Sequence, residues 1–300
     1  MTVSSVKYRG NQGTGNPANT DANYSPNIWS DCNLDGLRNG EIPGVLWERN
    51  FTAFKASTNV NAAEALWDNG IMLFGSDGAT VTLGADSTDA ADAYGTVALA
   101  SDGDNEGAFM RGQVPLFKIT GPHATASSQS GMLWLEARVK TSTIADTKHG
   151  IFLGLMEDVA ATAIIPITAA GAIADKNVVG FHRLEGDGDY VDCVSKADGQ
   201  TAVTHLADAQ LLVADTWINL GMKYNPVDNK LRFYGNGIQL TTVTVPAAAG
   251  GDATNGYFPN DVQLGFIFGV LNATATTPGS STIDHVRIAQ YSRSLGGTAY

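Results

Sequence analysis

Short runs of alternating apolar and polar residues, separated by turn residues, restrict most strongly how this chain can fold. Residues 216–245 show the pattern best, because two turns at 225–229 and 235–237 divide them into three alternating segments. Asn229, Asn236 and Gly237 lie in these turns, and Asn and Gly accept the positive φ angles that tight hairpins require. The pattern therefore predicts a three-stranded antiparallel meander.

Similar alternation or short apolar runs recur along most of the chain. They predict further strands at 71–74, 79–83, 96–100, 115–119, 133–140, 151–156, 178–184, 190–196, 262–268 and 283–289. No stretch keeps the 3.6-residue period of an amphipathic helix, and Pro166 and Gly171 interrupt the Ala-rich residues 159–174. We therefore predict an all-β chain whose residues 45–300 form an antiparallel jelly-roll β-sandwich.

The first 44 residues differ from the rest of the chain. Gly, Asn, Pro, Ser and Thr dominate them, so they bury too little apolar surface to form a core of their own. Residues 30–37 fit a short helical turn capped by Ser or Asp. We predict an extended N-terminal arm with isolated apolar anchors, which are Tyr8, Tyr24, Ile28, Trp29 and Leu37.

Charge is unusually sparse for a chain of 300 residues. Charged residues make up 16% of the sequence, against about 25% in an ordinary globular protein. The net charge of −12 argues against a protein that holds nucleic-acid phosphates. No apolar run reaches the roughly 20 residues that span a bilayer, and no export signal is visible. Sparse charge favours a surface that is covered by other molecules.

Neither cysteines nor histidines form a recognisable metal or catalytic motif. Cys32 and Cys193 are far apart in sequence, and we expect both to be reduced packing residues. An acidic loop at 185–192 is typical of a solvated turn, with weak calcium candidates at Asp187, Asp189 and Asp192. We predict no cofactor and no catalytic residues.

The meander and the closing strand carry a resemblance to a known fold family. Trp217, the turn at 225–229, residues 231–237 and residues 282–289 resemble the concanavalin A-like lectin/glucanase jelly roll. Glucanases of this fold place two carboxylates on an E-x-D-x-E strand. Glu185, Asp187 and Asp189 match that spacing by letter, but glycines between them would not fix the carboxylates. Lectin-like sugar binding would need an aromatic platform, for which Trp134 and Trp217 are candidates; alternatively, both rings pack under the arm or the N-terminal strands.

A narrower resemblance concerns residues 150–156, 174–184, 186–192 and the closing strand. These segments are similar to tailed-bacteriophage virion proteins that decorate the head. The resemblance implies a structural protein on the outer surface of the capsid, made in the host cytoplasm. The arm anchors would then dock on the major capsid protein, and the chain would form a trimer or dimer at a lattice symmetry axis. A glycan-binding lectin-like module is the alternative, and a glycoside hydrolase is a third reading.

Overall fold

The computed structural model describes residues 24–49, 51, 65–67, 71–75, 80–84, 96–100, 103, 106–112, 114–122, 130–145, 149–158, 167, 172–184, 186–252, 256–272 and 279–292. Two short helices and eighteen strands lie in these ranges. In chain order they are α1 (Pro26–Trp29), α2 (Leu34–Arg38), β1 (Gly44–Arg49), β2 (Ala65–Trp67), β3 (Ile71–Gly75), β4 (Thr80–Gly84), β5 (Thr96–Ala100), β6 (Gly107–Gly112), β7 (Leu133–Thr141), β8 (His149–Glu157), β9 (Val178–Arg183), β10 (Tyr190–Lys196), β11 (Val203–Leu211), β12 (Ile218–Asn225), β13 (Lys230–Gly235), β14 (Ile238–Thr244), β15 (Gly251–Asp252), β16 (Gly256–Tyr257), β17 (Leu264–Asn272) and β18 (Ser280–Tyr291). Neither helix has the length and apolarity to cross a membrane.

The strands form two large antiparallel sheets. Sheet A has the order β14-β13-β12-β7-β18-β5-β4, and sheet B has the order β11-β10-β9-β8-β17-β6-β3-β2. The long strand β18 pairs with β7 on one side; on its other side it pairs first with β5 and then with β1. Strands β15 and β16 form a separate small hairpin.

One hydrophobic core lies between the two sheets. Alternate residues of the central strands point into it, including Leu135 and Ala137 of β7 and Leu153 and Leu155 of β8, and all four side chains are buried. Successive side chains of a strand point to opposite faces of the sheet, so the residues between the core positions form the outer faces of the two sheets. Two facing sheets that share one core make a β-sandwich, and the predicted all-β jelly-roll class is confirmed.

Most predicted strands are present, and the meander is formed by β12, β13 and β14. Asn229, Asn236 and Gly237 have positive φ angles of 54°, 49° and 76°, as the turns require. The strand predicted at 115–119 is wrong: Phe117 makes only an isolated bridge to Leu264. Six described strands were not predicted: β1, β2, β6, β11, β15 and β16. In β11 the register shifts break the alternation.

The N-terminal segment does not extend away from the sandwich in the described residues. Residues 24–43, called the strap below, place α1 and α2 across the outer face of sheet A. Helix α2 begins after Asn33, whose side chain accepts the N–H of Gly36 at 2.7 Å, so the cap is Asn rather than the predicted Ser or Asp. The outer face of sheet B also carries a buried cluster, in which Ile167 and Ile173 pack on Phe152 and Ile267.

Candidate functional site

The strap is fixed to sheet A by one buried carboxylate. Glu136 of β7 is fully buried and accepts the backbone N–H of Ser25 at 2.9 and 3.1 Å, the Ser25 hydroxyl, and the indole N–H of Trp29 at 2.6 Å. Asn219 of the neighbouring strand contributes a longer contact at 3.4 Å. Burial raises the pKa of the Glu136 carboxyl, while the hydrogen bonds from Ser25 and Trp29 oppose that rise.

Aromatic and cationic side chains surround this carboxylate. The guanidinium of Arg287 lies 3.7 Å from the centre of the Tyr24 ring and 5.3 Å from the Trp29 ring, which is cation–π geometry. Tyr24 also packs on His285 with ring centres 4.3 Å apart. The arrangement attaches the strap to this chain's own sheet, so it stabilises the fold.

Four of the five predicted arm anchors belong to this packing. Tyr24, Ile28, Trp29 and Leu37 are buried against the sandwich, at 9%, 1%, 0% and 9% exposure, so in this conformation their side chains are not open to a capsid. Tyr8 lies outside the described residues. Cys32 is a buried thiol under the strap, Cys193 is a buried thiol of the main core, and neither forms a disulfide among the described residues.

The two tryptophans predicted as a platform lie in different surroundings. Trp134 is fully buried under the strap, its indole N–H donates to Asp31 at 2.9 Å, and Tyr291 packs edge-on against its ring. Its prediction as a platform is therefore corrected, because the strap covers the outer face of β7. Trp217 is only partly buried, but Arg138 and Lys140 lie 4.8 and 5.0 Å from its ring centre.

A different group of polar and exposed residues meets at the β9–β10 hairpin. His182 of β9 lies directly opposite Asp192 of β10, and the turn between them brings in Asp187. One ligand atom of each residue lies within 4.8 Å of those of the other two. Tyr190 precedes Asp192 by two residues and therefore faces the same side of sheet B. His182, Asp187, Tyr190 and Asp192, with Leu211 of β11, are called the hairpin site below.

Backbone contacts hold the two carboxylates of the hairpin site in place. Asp187 Oδ2 accepts the N–H of Leu184 at 3.0 Å, and Asp192 Oδ1 accepts the N–H of Asp208 at 2.8 Å. Asp208 has a φ of 51° within the irregular strand β11. Partial burial opposes ionisation of Asp192, but contacts with His182 and Asp208 outweigh it and hold the pKa of the Asp192 carboxyl below its usual range.

A buried arginine positions the turn that carries Asp187. The guanidinium of Arg183 is fully buried and donates to the carbonyl oxygens of Gly188 at 2.9 Å and Ile144 at 2.7 Å. Such charge-assisted bonds tie the turn to the neighbouring loop.

Tyr190 and Leu211 form an exposed apolar pair beside the acidic groups. They are directly paired across β10 and β11, and they are 38% and 43% exposed. Of the predicted calcium residues, Asp187 and Asp192 belong to the cluster, whereas Asp189 does not; its backbone carbonyl accepts the N–H of Leu212. His182 and Tyr190 were not predicted as site residues, although antiparallel pairing of the predicted strands at 178–184 and 190–196 places both beside Asp192.

Comparisons with known proteins give a fold. No protein-family model and no curated protein matches the sequence. A protein of unknown function from Shewanella oneidensis MR-1 matches the structure with a TM-score of 0.52 and 13% identity, over 86% of this chain and 90% of that one. Peanut lectin, solved with a nine-residue peptide, matches with a TM-score of 0.51 and 14% identity, over 82% of this chain and 97% of the lectin. The fold is a concanavalin A-like jelly roll.

Other solved structures resemble the chain more distantly. The carbohydrate recognition domain of Emp46p, in a potassium-bound form, has a TM-score of 0.47 and 14% identity over 80% of this chain and all of that domain. A glycoside hydrolase family protein and a sialidase match with TM-scores of 0.46 and 0.41. Identities this low concern the fold alone.

Proposed function

We propose that the chain is a non-catalytic glycan-binding module and that the hairpin site is its binding surface. The observation that carries the proposal is the exposed pair of Tyr190 and Leu211 beside the carboxylate of Asp192. The lectin fold of one matched structure agrees with this role without establishing it.

The chemistry of the hairpin site suits a sugar ring. A pyranose has an apolar C–H face, which packs on an aromatic ring, and hydroxyl groups, which donate to carboxylates. Tyr190 and Leu211 supply the apolar surface. Asp192 and Asp187 supply acceptors whose positions are fixed by backbone N–H groups, so little ordering accompanies binding.

We propose binding without catalysis because the two acids of the hairpin site lie too close together. One carboxylate oxygen of Asp187 lies within 4.8 Å of one of Asp192, less than the roughly 5–9.5 Å between the two acids of glycosidases. A glycosidase needs two carboxylates held at a set separation across the bond that breaks. Release of reducing sugar by the purified chain, lost in Asp187→Asn, would overturn this part of the proposal.

A glycan array with the full chain, followed by calorimetry on any hit, tests the binding. We expect Tyr190→Ala and Asp192→Asn each to weaken binding at least tenfold, which corresponds to about 1.4 kcal/mol. Val227→Ala and Asp261→Asn are matched controls, because both residues are exposed and lie outside the hairpin site. No specific binding, or binding that the two site variants leave unchanged, contradicts the proposal.

A structural role on a phage head is the second candidate function. Two observations favour a protein partner: charge is sparse, and large apolar side chains are exposed in the described part of the chain, at Val114, Leu116, Val213, Val227 and Ile238. In this role the chain would bind the major capsid protein as a homo-oligomer. Co-sedimentation with intact heads at a defined stoichiometry supports it, and failure to co-sediment counts against it.

A further inference from the structure

The polar part of the hairpin site has an arrangement that a glycan does not explain. His182, Asp187 and Asp192 bring one nitrogen and two oxygens within 4.8 Å of one another. They come from two paired strands and the turn between them. A sugar hydroxyl needs acceptors on the surface, whereas His182 is only 4% exposed.

The nitrogen of the buried imidazole that faces Asp192 makes only a long contact. Its Nε2 lies 3.4 Å from Oδ2 of Asp192, longer than an ordinary N–H···O bond, and its Nδ1 has no partner among the described residues. Phe152 lies directly opposite His182 on β8 and offers no polar group. The long contact leaves the Nε2 lone pair available to a stronger partner on the side of Asp192.

The distances fit ligands that share one small cation. Bonds of about 2.0–2.1 Å to a tetrahedral ion place neighbouring ligand atoms about 3.4 Å apart, which is the separation of His182 Nε2 and Asp192 Oδ2. The carboxylate oxygen of Asp187 lies within 4.8 Å of the other two ligand atoms and has to come to about 3.4 Å from them. A small movement of this kind is sterically possible, because Asp187 lies in a turn between two glycines.

We propose that His182, Asp187 and Asp192 form a binding site for a divalent transition-metal cation of the zinc class. An imidazole with two carboxylates suits such ions, whereas calcium takes six to eight oxygen ligands. The backbone N–H groups of Leu184 and Asp208 orient the carboxylates by bonding one oxygen of each. The proposed site differs from the calcium candidates of the sequence in its metal class and in having His182 in place of Asp189.

Metal titration of the untagged full-length chain, stripped with a chelator, tests the proposal. The probes are Zn²⁺, Mn²⁺ and Ca²⁺, each added alone, with calorimetry and thermal unfolding as readouts. We expect one Zn²⁺ per chain, a rise in the unfolding temperature, and much weaker binding of Ca²⁺. His182→Gln and Asp192→Asn should each reduce Zn²⁺ affinity by 10- to 100-fold.

Asp187→Asn keeps the test decisive if the strand variants fail to fold, because Asp187 lies in the turn and not in the core. Asp261→Asn is the matched control. Absence of Zn²⁺ binding, affinity that Asp187→Asn leaves unchanged, or a preference for Ca²⁺ overturns the proposal. The outcome is independent of the glycan assay, since metal binding without glycan binding rejects only the proposed function, and the reverse rejects only the metal site.

Discussion

The indole N–H of Trp29 donates to Oε2 of Glu136 at 2.6 Å, joining residues 107 positions apart in the sequence. This bond connects the strap to the centre of sheet A, where the carboxylate is fully buried. The donors from the strap, together with the contact from Asn219, compensate for the removal of that carboxylate from water. Strap and sheet therefore depend on each other for stability.

Glu136→Gln should weaken strap docking. The carboxamide would direct an NH₂ group at the donors of Ser25 or Trp29, and hydrogen bonds to a charged group contribute about 1.5–3 kcal/mol. We expect the free energy of unfolding to fall by about 2 kcal/mol and Trp29 fluorescence to shift to longer wavelength. Glu41→Gln, on the exposed part of the strap, is the control. Equal stability of both variants would show that the carboxylate does not hold the strap.

Two substitutions at Trp29 separate packing from hydrogen bonding. Trp29→Phe keeps an aromatic ring near Arg287 but removes the donor to Glu136, and should cost about 1–2 kcal/mol. Trp29→Ala also leaves a cavity and should cost about 3–5 kcal/mol. Urea unfolding measures both values. If the two variants lose the same stability, the ring contributes nothing beyond its N–H.

Gly154→Ala should destabilise sheet B. Gly154 and Gly180 face each other on β8 and β9, and a Cβ on Gly154 would collide with the backbone carbonyl of Val179. Backbone cannot rotate away as a side chain can, so a loss of about 1–3 kcal/mol is expected. Gly188→Ala is the control, since no atom of the described residues lies within 4 Å of a Cβ built there. Thermal unfolding of the two variants tests this prediction. Equal unfolding midpoints for Gly154→Ala and Gly188→Ala would contradict the predicted collision.

Stability should depend on pH through His205. Burial lowers the pKa of the His205 imidazole from 6.5 to about 4, and its Nε2 lies 2.8 Å from the hydroxyl of Ser195. Between pH 4 and 6.5 the unfolded chain binds this proton and the folded chain does not, so stability rises with pH across that window.

The size of this effect can be measured by substitution. Because the ring is partly exposed, the contribution between pH 7 and pH 4.5 is on the order of 2 kcal/mol. His205→Gln removes the titrating group, and the difference in unfolding free energy between pH 4.5 and 7 should shrink by that amount. An unchanged difference would mean that His205 does not titrate in this range.

The local sequence pattern was sufficient to predict a strand where one face is apolar and the adjoining turn contains Asn or Gly. Apolar and polar residues alternate in the sequence of strands β7, β12 and β13, and the turns after β12 and β13 have the positive φ angles that hairpins require. Pattern failed in two situations. The exposed edge strand β11 carries register shifts, which destroy the period, and residues 115–119 read as a strand although only Phe117 pairs.

The hairpin site was partly visible in the sequence and partly hidden. The acidic residues at 187, 189 and 192 were recognisable in the sequence, but their positions in the chain did not predict that Asp189 lies outside the cluster. In the sequence, His182 and Tyr190 have no feature that separates them from other strand residues. The register of β9 and β10 places His182 beside Asp192, and Tyr190 lies two residues before Asp192 on the same face. Side chains join a site through cross-strand pairing, which depends on distances that composition does not contain.

The sequence by itself determined an all-β sandwich, because period-2 alternation and turn residues act over a few neighbouring positions. Only the tertiary structure decided where the N-terminal segment lies and which aromatic rings remain open. Trp134 and Tyr190 both occupy outer faces of strands, yet the strap covers the first and leaves the second exposed. The difference arises because Glu136 needs the donors of Ser25 and Trp29, 111 and 107 positions away in the sequence, to offset its burial.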